Sequence, residues 1–182
     1  MSNVWPPFRY HPDPLASGSI AASDTTCLCC DQTRGFVYAG PVFSETDNLE
    51  DHLCPWCIAD GKAHQKFDAT FVDSEALDAA LPESVAHMLL ERTPGFHSWQ
   101  SGHWPSCCGD ATAFLGPFGI EDLRRTRREL EGLVLSHIIY DMGISGGAAT
   151  RLLYALQRDQ SPTGYLFQCL ACQTPHVHVD HL

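Results

Sequence analysis

The sequence predicts an α+β protein, in which an N-terminal module of a hairpin and a helix packs with a mainly helical C-terminal part closed by a β-hairpin. Three Cys-x-x-Cys pairs occur along the chain, β-favouring runs adjoin the first and last pairs, and apolar residues recur at helical spacing between the second and third. We expect two regions, 1–72 with an N-terminal arm and the first module and 73–182 with the helices and the last hairpin, although one integrated domain also fits the length.

The composition indicates a folded and strongly acidic chain. Its 182 residues are 44% hydrophobic and carry a formal net charge of −11. No run approaches the ~20 apolar residues needed to cross a bilayer, and no basic segment followed by an apolar one opens the chain. We therefore expect a cytoplasmic protein without a membrane role. Because an acidic surface repels phosphate backbones, nucleic-acid binding is disfavoured and a basic partner is favoured.

The N-terminal region reads as an arm, a strand run and a helix. Four prolines within residues 1–23 predict an extended arm, because proline fixes φ and lacks an N–H donor. The arm carries Phe8 and Tyr10, by which we expect it to dock. Residues 35–43 favour a β-strand, and a helix is predicted over residues 58–67, after the second cysteine pair.

The C-terminal region reads as helices followed by a hairpin. Asp73 or Ser74 can cap a short helix that extends to residue 80, and Pro82 suits the first turn of a second helix that ends at Pro94. We expect further helices over 110–115, 121–142 and 148–156. Residues 164–179 then read as strand, tight turn and strand. The arginines at 124–128 predict a salt-bridged helix face, with the pairs Glu121–Arg125, Arg125–Glu129 and Arg127–Glu131.

The first two cysteine pairs predict a zinc site of Cys27, Cys30, Cys54 and Cys57. Two intervening residues make a tight turn that aims both sulfurs at one point, and two such turns complete a tetrahedron. In this order, one cysteine pair lies in a loop, a hairpin follows, and the second cysteine pair lies at the start of a helix. That order is the layout of a treble-clef zinc module. Two alternatives remain: Cys54 and Cys57 form a redox dithiol, or Cys29 replaces Cys27 as a ligand.

The third pair predicts a second zinc site, a zinc knuckle within the terminal hairpin. Its expected ligands are Cys107, Cys108, Cys169 and Cys172, and His103, His176 or His178 are alternatives for the fourth position. We expect Asp110, which follows these cysteines, to place a negative charge at a helix N-terminus or to contact a metal ligand. Filled four-thiolate sites leave no open coordination position, so we expect structural zinc and no enzymatic activity.

Several sequence motifs, in order along nearly the whole chain, match the pattern of a known family. The matching segments are Phe8-Arg9-Tyr10-His11-Pro12-Asp13-Pro14, Arg34-Gly35-Phe36-Val37-Tyr38-Ala39-Gly40-Pro41-Val42, Leu53-Cys54-Pro55-Trp56-Cys57-Ile58-Ala59-Asp60-Gly61, Lys66-Phe67-Asp68-Ala69-Thr70-Phe71, Arg92-Thr93-Pro94-Gly95-Phe96, Cys108-Gly109-Asp110-Ala111, Ala113-Phe114-Leu115-Gly116 and Ser161-Pro162-Thr163-Gly164-Tyr165-Leu166-Phe167-Gln168-Cys169-Leu170-Ala171-Cys172. With these segments the chain resembles the CbrC family, a bacterial group of colicin-tolerance-like proteins. In that family a histidine often precedes the cysteine matched by Cys108, which favours Cys107 as the fourth ligand here. The resemblance implies protection of a bacterium against a protein toxin.

These observations predict a non-catalytic, zinc-stabilised immunity-type protein that neutralises a basic, nuclease-like toxin domain through an acidic surface. Such charge attraction accelerates encounter, while a few buried contacts set affinity. A zinc-dependent intracellular enzyme or regulatory factor and a redox-sensing dithiol protein are the alternatives. The candidate partner contacts are Glu45, Asp47, Glu50, Asp51, Asp73, Glu75, Asp78 and Glu83.

Overall fold

A computed structural model describes residues 4–99 and 102–181 and has a mixed helix and sheet architecture. The predicted arm is described from Val4 onward, since residues 1–3 lie outside that range. Its end forms strand β1, Ile20–Ala22, which pairs antiparallel with β2, Phe36–Tyr38. The β2 strand is shorter than the predicted run over 35–43. The first cysteine pair lies in the loop that joins these two strands.

Two short helices begin at the second cysteine pair, where one helix was predicted over 58–67. Helix α1 is Pro55–Ala59 and α2 is Lys62–Phe67. Gly61 separates them with a φ of 77°, in the left-handed region that interrupts an α-helix and that glycine adopts without strain. The first hydrophobic core, which includes Ile20, Tyr38 and Ile58, packs these helices against the strands.

The segment after this module contains one short turn and one regular helix. The predicted helix from Asp73 to residue 80 is only a 3₁₀ turn, Ser74–Ala76, which Asp73 caps by accepting a hydrogen bond from Glu75 N at 2.9 Å. Helix α3, Glu83–Arg92, agrees with the predicted helix and ends before Pro94.

The helix predicted over 110–115 is wrong, because these residues form strands. β3, Ser106–Cys107, and β4, Asp110–Ala111, make a small hairpin, and β5, Ala113–Phe118, enters the main sheet. A short apolar run fits either a helix or a strand, so its partner decides between them. Here Phe114 is paired with Phe167 across the sheet, and its N–H donates to the Tyr10 carbonyl at 2.8 Å.

The main sheet has three antiparallel strands in the order β5–β6–β7, with β6 at Thr163–Gln168 and β7 at Pro175–Asp180. The predicted terminal hairpin is therefore present, with β5 as an additional strand. A register shift between Phe114 and Gly116 leaves Leu115 bulged and exposed. In a regular strand, residues four positions apart face the same side of the sheet. The bulge shifts this alternation by one residue, so Phe114 and Phe118 pack in different cores on opposite faces.

Three helices cover one face of the sheet: α4, Ile120–Thr126, α5, Glu131–Tyr140, and α6, Gly146–Ala155. The second hydrophobic core, which includes Val134 and Val179, lies between these helices and the sheet. The single helix predicted over 121–142 is broken at Arg127, whose φ of −146° is not helical, and a 3₁₀ turn, Arg128–Leu130, follows. The break also changes the ion pairs. Instead of the predicted pairs, the described contacts are Arg124 with Glu121 and Glu131, and Arg125 with Asp122.

The edge strand β7 contacts α5 through a side chain. Val179 N donates to His137 Nε2 at 3.3 Å, and His137 Nδ1 lies 2.8 Å from Asp141 Oδ2. Because Nε2 accepts the hydrogen bond from Val179, it carries no proton. The ring proton of His137 is therefore on Nδ1, which donates to Asp141. Within the described ranges, no helix is long and apolar enough to span a membrane.

A third hydrophobic core lies on the other face of the sheet and joins both predicted regions. Tyr10 and Val72 come from 1–72, whereas Trp104, Phe114 and Phe167 come from 73–182. Aromatic rings dominate this core, and Phe114 and Phe167 lie with centroids 5.2 Å apart. The boundary near residue 72 stays a prediction.

A fully buried histidine fixes the arm and predicts a pH dependence of stability. His11 Nδ1 lies 2.7 Å from the Pro94 carbonyl, to which it donates, so Nε2 accepts from Ser17 Oγ at 2.7 Å. Burial lowers the pKa of His11 from 6.5 to about 4. Between these values the unfolded chain binds a proton that the folded chain does not. We therefore expect the free energy of unfolding to fall by up to about 3 kcal/mol as the pH drops through this window.

Urea unfolding at several pH values between 7 and 4 tests this expectation, with His11→Gln as the comparison. Glutamine keeps a donor and an acceptor but does not titrate, so the variant should show a shallower pH dependence than the parent. Metal–thiolate protonation affects both proteins alike and cancels in the comparison. Identical slopes would show that His11 is not held neutral by the fold.

Candidate metal centres

The first tetrad, Cys27, Cys30, Cys54 and Cys57, is assembled from a loop and a helix start. All four sulfurs lie within 4.8 Å of one another. Cys54 precedes the first residue of α1 and Cys57 lies in its first turn, so both sulfurs face the same end of the helix. Cys54 N donates to Cys27 Sγ at 3.2 Å, which links the two halves directly.

Backbone contacts and one lysine hold the loop of the first tetrad in place. Leu28 N donates to the His52 carbonyl at 2.9 Å, and Asp31 N donates to the Cys27 carbonyl at 2.8 Å. Lys66 Nζ donates to the carbonyls of Leu28 and Cys29 at 2.8 and 3.3 Å. The ammonium group therefore lies beside a cluster that becomes anionic once its thiols ionise, and it offsets part of that charge.

Cys27, Cys54 and Cys57 of the first tetrad shift one another's pKa values. Hydrogen bonding from Cys54 lowers the pKa of Cys27, while hydrogen bonding to Cys27 raises the pKa of Cys54 to about 12 and also raises that of Cys57. Two of these thiols are thus harder to ionise beside the third, and a positive ion among them would favour their thiolate forms. This is the donor chemistry of a metal site.

The second tetrad, Cys107, Cys108, Cys169 and Cys172, is assembled from two hairpin turns. Its four sulfurs also lie within 4.8 Å of one another. Adjacent side chains normally diverge, but Cys108 has a φ of 54° and Gly109 one of 76°. This left-handed turn bends the chain between β3 and β4, so that both neighbouring sulfurs point towards the turn between β6 and β7.

The second tetrad is more accessible than the first. Cys27, Cys54 and Cys57 are buried in the first, whereas only Cys169 is buried in the second. Hydrogen bonding with Thr174 lowers the pKa of Cys172 to about 6.

One sulfur separation in the first tetrad and two in the second agree with tetrahedral coordination. A zinc–sulfur bond of about 2.3 Å makes the edge of a regular ZnS₄ tetrahedron about 3.8 Å. The Cys30–Cys54 sulfur distance is 3.9 Å, and Cys107 lies 3.8 Å from the sulfur of Cys108 and 3.7 Å from that of Cys172. All nine cysteines are free thiols. The two tetrads are therefore positioned to bind metal ions and are compatible with zinc.

The alternative ligands lie outside both tetrads. Across 4–99 and 102–181, these two groups are the clusters of histidine, cysteine and carboxylate side chains with metal-binding spacing. Cys29 and the histidines at 103, 176 and 178 belong to neither. Burial raises the pKa of the Cys29 thiol, and the ring of His178 stacks on Tyr165 with centroids 6.2 Å apart.

Asp110 joins the N-terminal arm to the hairpin of the second tetrad. Its carboxylate accepts hydrogen bonds from Arg9 at 2.6 Å, Tyr10 at 2.7 Å and Ala111 N at 2.8 Å. Burial tends to raise the pKa of Asp110, but the hydrogen bonds from Tyr10 and Arg9 outweigh it and leave the pKa below its usual value. The predicted helix N-terminus is absent, since Asp110 begins β4. The roles of Arg9 and Tyr10 were not anticipated from the sequence.

The candidate acidic contacts divide into exposed and structural groups. Asp73 caps the 3₁₀ turn, and Asp78 accepts hydrogen bonds from Ser106 Oγ and from Ala80 N, of which the Ser106 bond contributes most to lowering the pKa of Asp78. The remaining six are exposed, and none forms an ion pair with a lysine or arginine of the described chain: Glu45, Asp47, Glu50, Asp51, Glu75 and Glu83.

Comparison with known sequences gives the family. The sequence profile of an uncharacterised protein family, UPF0167, matches residues 5–181. The chain belongs to UPF0167. UPF0167 proteins of Mycobacterium bovis and Mycobacterium tuberculosis are each 42% identical to it over 176 residues, covering 96% of this chain and 92% of theirs. A UPF0167 protein of Pseudomonas aeruginosa is 42% identical over 181 residues, covering 99% of both chains.

The description of the UPF0167 profile and the names of these relatives do not refer to colicin tolerance or to the CbrC family. The resemblance to that family therefore stays a prediction. No solved structure matches the chain at comparable significance.

Proposed function

We propose that this UPF0167 protein is a non-catalytic binding protein held together by two structural zinc ions, one in each tetrad. The observation that carries the proposal is the convergence of four sulfurs within 4.8 Å of one another in each tetrad. The Cys30–Cys54, Cys107–Cys108 and Cys107–Cys172 sulfur separations of 3.7 to 3.9 Å match the edge of a ZnS₄ tetrahedron. Four sulfur ligands would fill each coordination sphere and leave no position for a reactive water. Nine free thiols also suit a reducing compartment such as the cytoplasm.

The first tetrad is, in this proposal, the zinc site of a treble-clef-like module. Its support is the order of the parts along the chain: a cysteine loop, the strand β2, and a second cysteine pair at the start of α1. In such a module the metal replaces much of the hydrophobic core that a small unit lacks. Structural zinc in small modules contributes an apparent binding free energy of ~10–16 kcal/mol, which is also folding free energy.

The proposed partner is a basic, nuclease-like toxin domain. Exposed carboxylates that form no ion pair with a lysine or arginine in 4–99 or 102–181 support this, because they raise the negative potential around the loop before α1. Four of them fall within seven residues: Glu45, Asp47, Glu50 and Asp51. Nuclease domains are basic where they meet phosphate, so this loop would speed their encounter and cover that surface. The resemblance to colicin-tolerance-like proteins supports the same role.

Toxin survival and binding kinetics together test the proposed partner. Bacteria producing the parent chain should survive exposure to a nuclease-type colicin, whereas the triple variant Glu45→Gln, Asp47→Asn, Glu50→Gln should protect poorly. With the purified nuclease domain, we expect this variant to associate at least about tenfold more slowly at low salt, and the difference to shrink at high salt.

A matched control removes three carboxylates elsewhere. The triple variant Glu121→Gln, Glu129→Gln, Asp141→Asn lies on α4, the turn after it and the end of α5, and it changes the net charge by the same amount. It should protect as well as the parent. Equal loss in both variants would mean that net charge alone acts, and failure of the parent chain to protect would overturn the toxin assignment.

A further inference from the structure

A cavity of about 440 Å³ opens between the arm, the segment after Gly95 and the main sheet. None of its lining residues belongs to either tetrad. Its volume falls within the range of small-molecule sites. Six lining residues determine its chemistry, four of them aromatic and two oppositely charged: Phe96, Trp99, Phe114, Tyr165, Arg158 and Asp159.

The aromatic walls of the cavity are held in fixed positions. Phe96 stacks on Phe114 with centroids 4.0 Å apart and an interplanar angle of 20°, and Tyr165 lies 5.0 Å from Phe96. Trp99 is 50% exposed, yet its backbone N–H donates to Asp180 at 2.6 Å and its indole N–H lies 3.3 Å from Thr163 Oγ1. A large ring pinned in an exposed position is a preformed surface on which a flat apolar ligand can stack.

Tyr165 adds a further aromatic wall to this cavity. The residue is only 2% exposed. Burial, followed by the charge of Asp180, raises the pKa of Tyr165, so the phenol stays protonated. Tyr165 therefore brings no charge to the cavity.

Two neighbouring charges at the cavity mouth are exposed and of opposite sign. Arg158 uses one guanidinium nitrogen to donate to the Ala16 carbonyl at 2.8 Å, which orients the group and leaves its other N–H donors for a ligand. Asp159 forms no ion pair within the described ranges. The mouth therefore offers one donor group for a carboxylate and one acceptor group for an ammonium.

We propose that this cavity binds a small aromatic zwitterion, of which an aromatic α-amino acid is the simplest example. The ring would lie against Phe96 and Trp99, its carboxylate on Arg158 and its ammonium on Asp159. A ligand without net charge is not repelled by a chain of charge −11. The proposal is independent of the metal centres and of the toxin partner.

Titration calorimetry of the zinc-loaded full chain with three probes tests this assignment. L-Tryptophan carries both charges, tryptamine lacks the carboxylate, and indole-3-propionate lacks the ammonium. We expect L-tryptophan to bind, and each analogue to bind at least about tenfold more weakly. Absence of binding by L-tryptophan at millimolar concentration would overturn the proposal, as would equal affinity for all three probes.

Single substitutions assign each charge to its residue. Arg158→Gln should remove the preference for L-tryptophan over tryptamine, and Asp159→Asn the preference over indole-3-propionate. Trp99→Ala should weaken all three probes. Arg151→Gln, on the exposed surface of α6 and outside the cavity, should bind as the parent does. Circular dichroism and zinc content confirm that each variant is folded, and preferences that persist in both charge variants would contradict the assignment.

Discussion

Replacing Cys57 with serine is expected to lower the zinc content from two ions to one per chain and to abolish cooperative unfolding of the N-terminal module. Cys57 is buried and shares its tetrad with three other sulfurs, so a serine hydroxyl would leave a three-ligand site inside the core. The loss approaches the ~10–16 kcal/mol that a structural zinc contributes, which exceeds the total stability of many domains. Metal analysis by mass spectrometry and urea unfolding measure the two effects.

Cys29→Ser provides the matched control for this experiment. Cys29 is one residue from Cys30 but lies outside the tetrad, so its replacement should leave two zinc ions and nearly parental stability. If Cys29→Ser lost one zinc ion, Cys29 would be a ligand after all. If Cys57→Ser retained both ions, the four-cysteine arrangement of the first centre would be wrong.

Gly95→Ala is expected to be the most destabilising of the simple glycine substitutions. A Cβ at position 95 would stand 1.9 Å from the Phe71 carbonyl oxygen, which belongs to the backbone and cannot rotate away. The N–H of Gly95 also donates to the Tyr38 hydroxyl at 3.1 Å, so the segment cannot retreat without breaking that bond. We expect a loss of about 3 kcal/mol or more, which corresponds to a fall in Tm of about 10 °C.

Gly132→Ala tests the same chemical change without the overlap. Position 132 lies in α5, and an added Cβ there meets no atom within 4 Å. Alanine is the better helix former, so this variant should be as stable as the parent or more stable, by up to about 1 kcal/mol. Thermal unfolding of both variants decides the matter. A parental Tm for Gly95→Ala would show that the Phe71–Gly95 contact is not as close as described.

The cysteine tetrads were the feature most accessible from the sequence. A Cys-x-x-Cys turn is a local structure, so its spacing alone indicates that both sulfurs point the same way. The second centre was harder, because Cys107 and Cys108 are adjacent and only the left-handed backbone at Cys108 turns both sulfurs inward. Sequence spacing does not specify such a turn, although Gly109 after it was a usable signal.

The errors arose where long-range contacts override local preference. Residues 110–115 have helix-compatible composition, yet pairing with β6 makes β5 a strand. One long helix was predicted over 121–142, but Arg127 leaves the helical region and Leu130 packs into the second core beyond it. The link from Arg9 to Asp110 spans about a hundred positions and has no periodicity that a sequence reading could detect.

The hydrogen bond from β7 to a side chain of α5 limits association between chains at high concentration. An outermost strand with free amides is a template on which another chain can extend a sheet, a common route to aggregation. Here the imidazole Nε2 of His137 accepts the hydrogen bond of the Val179 N–H. Asp141 accepts from Nδ1 and so fixes the tautomer in which Nε2 is free to accept. The fold therefore blocks intermolecular strand addition at this point with a helix side chain, without shortening the strand.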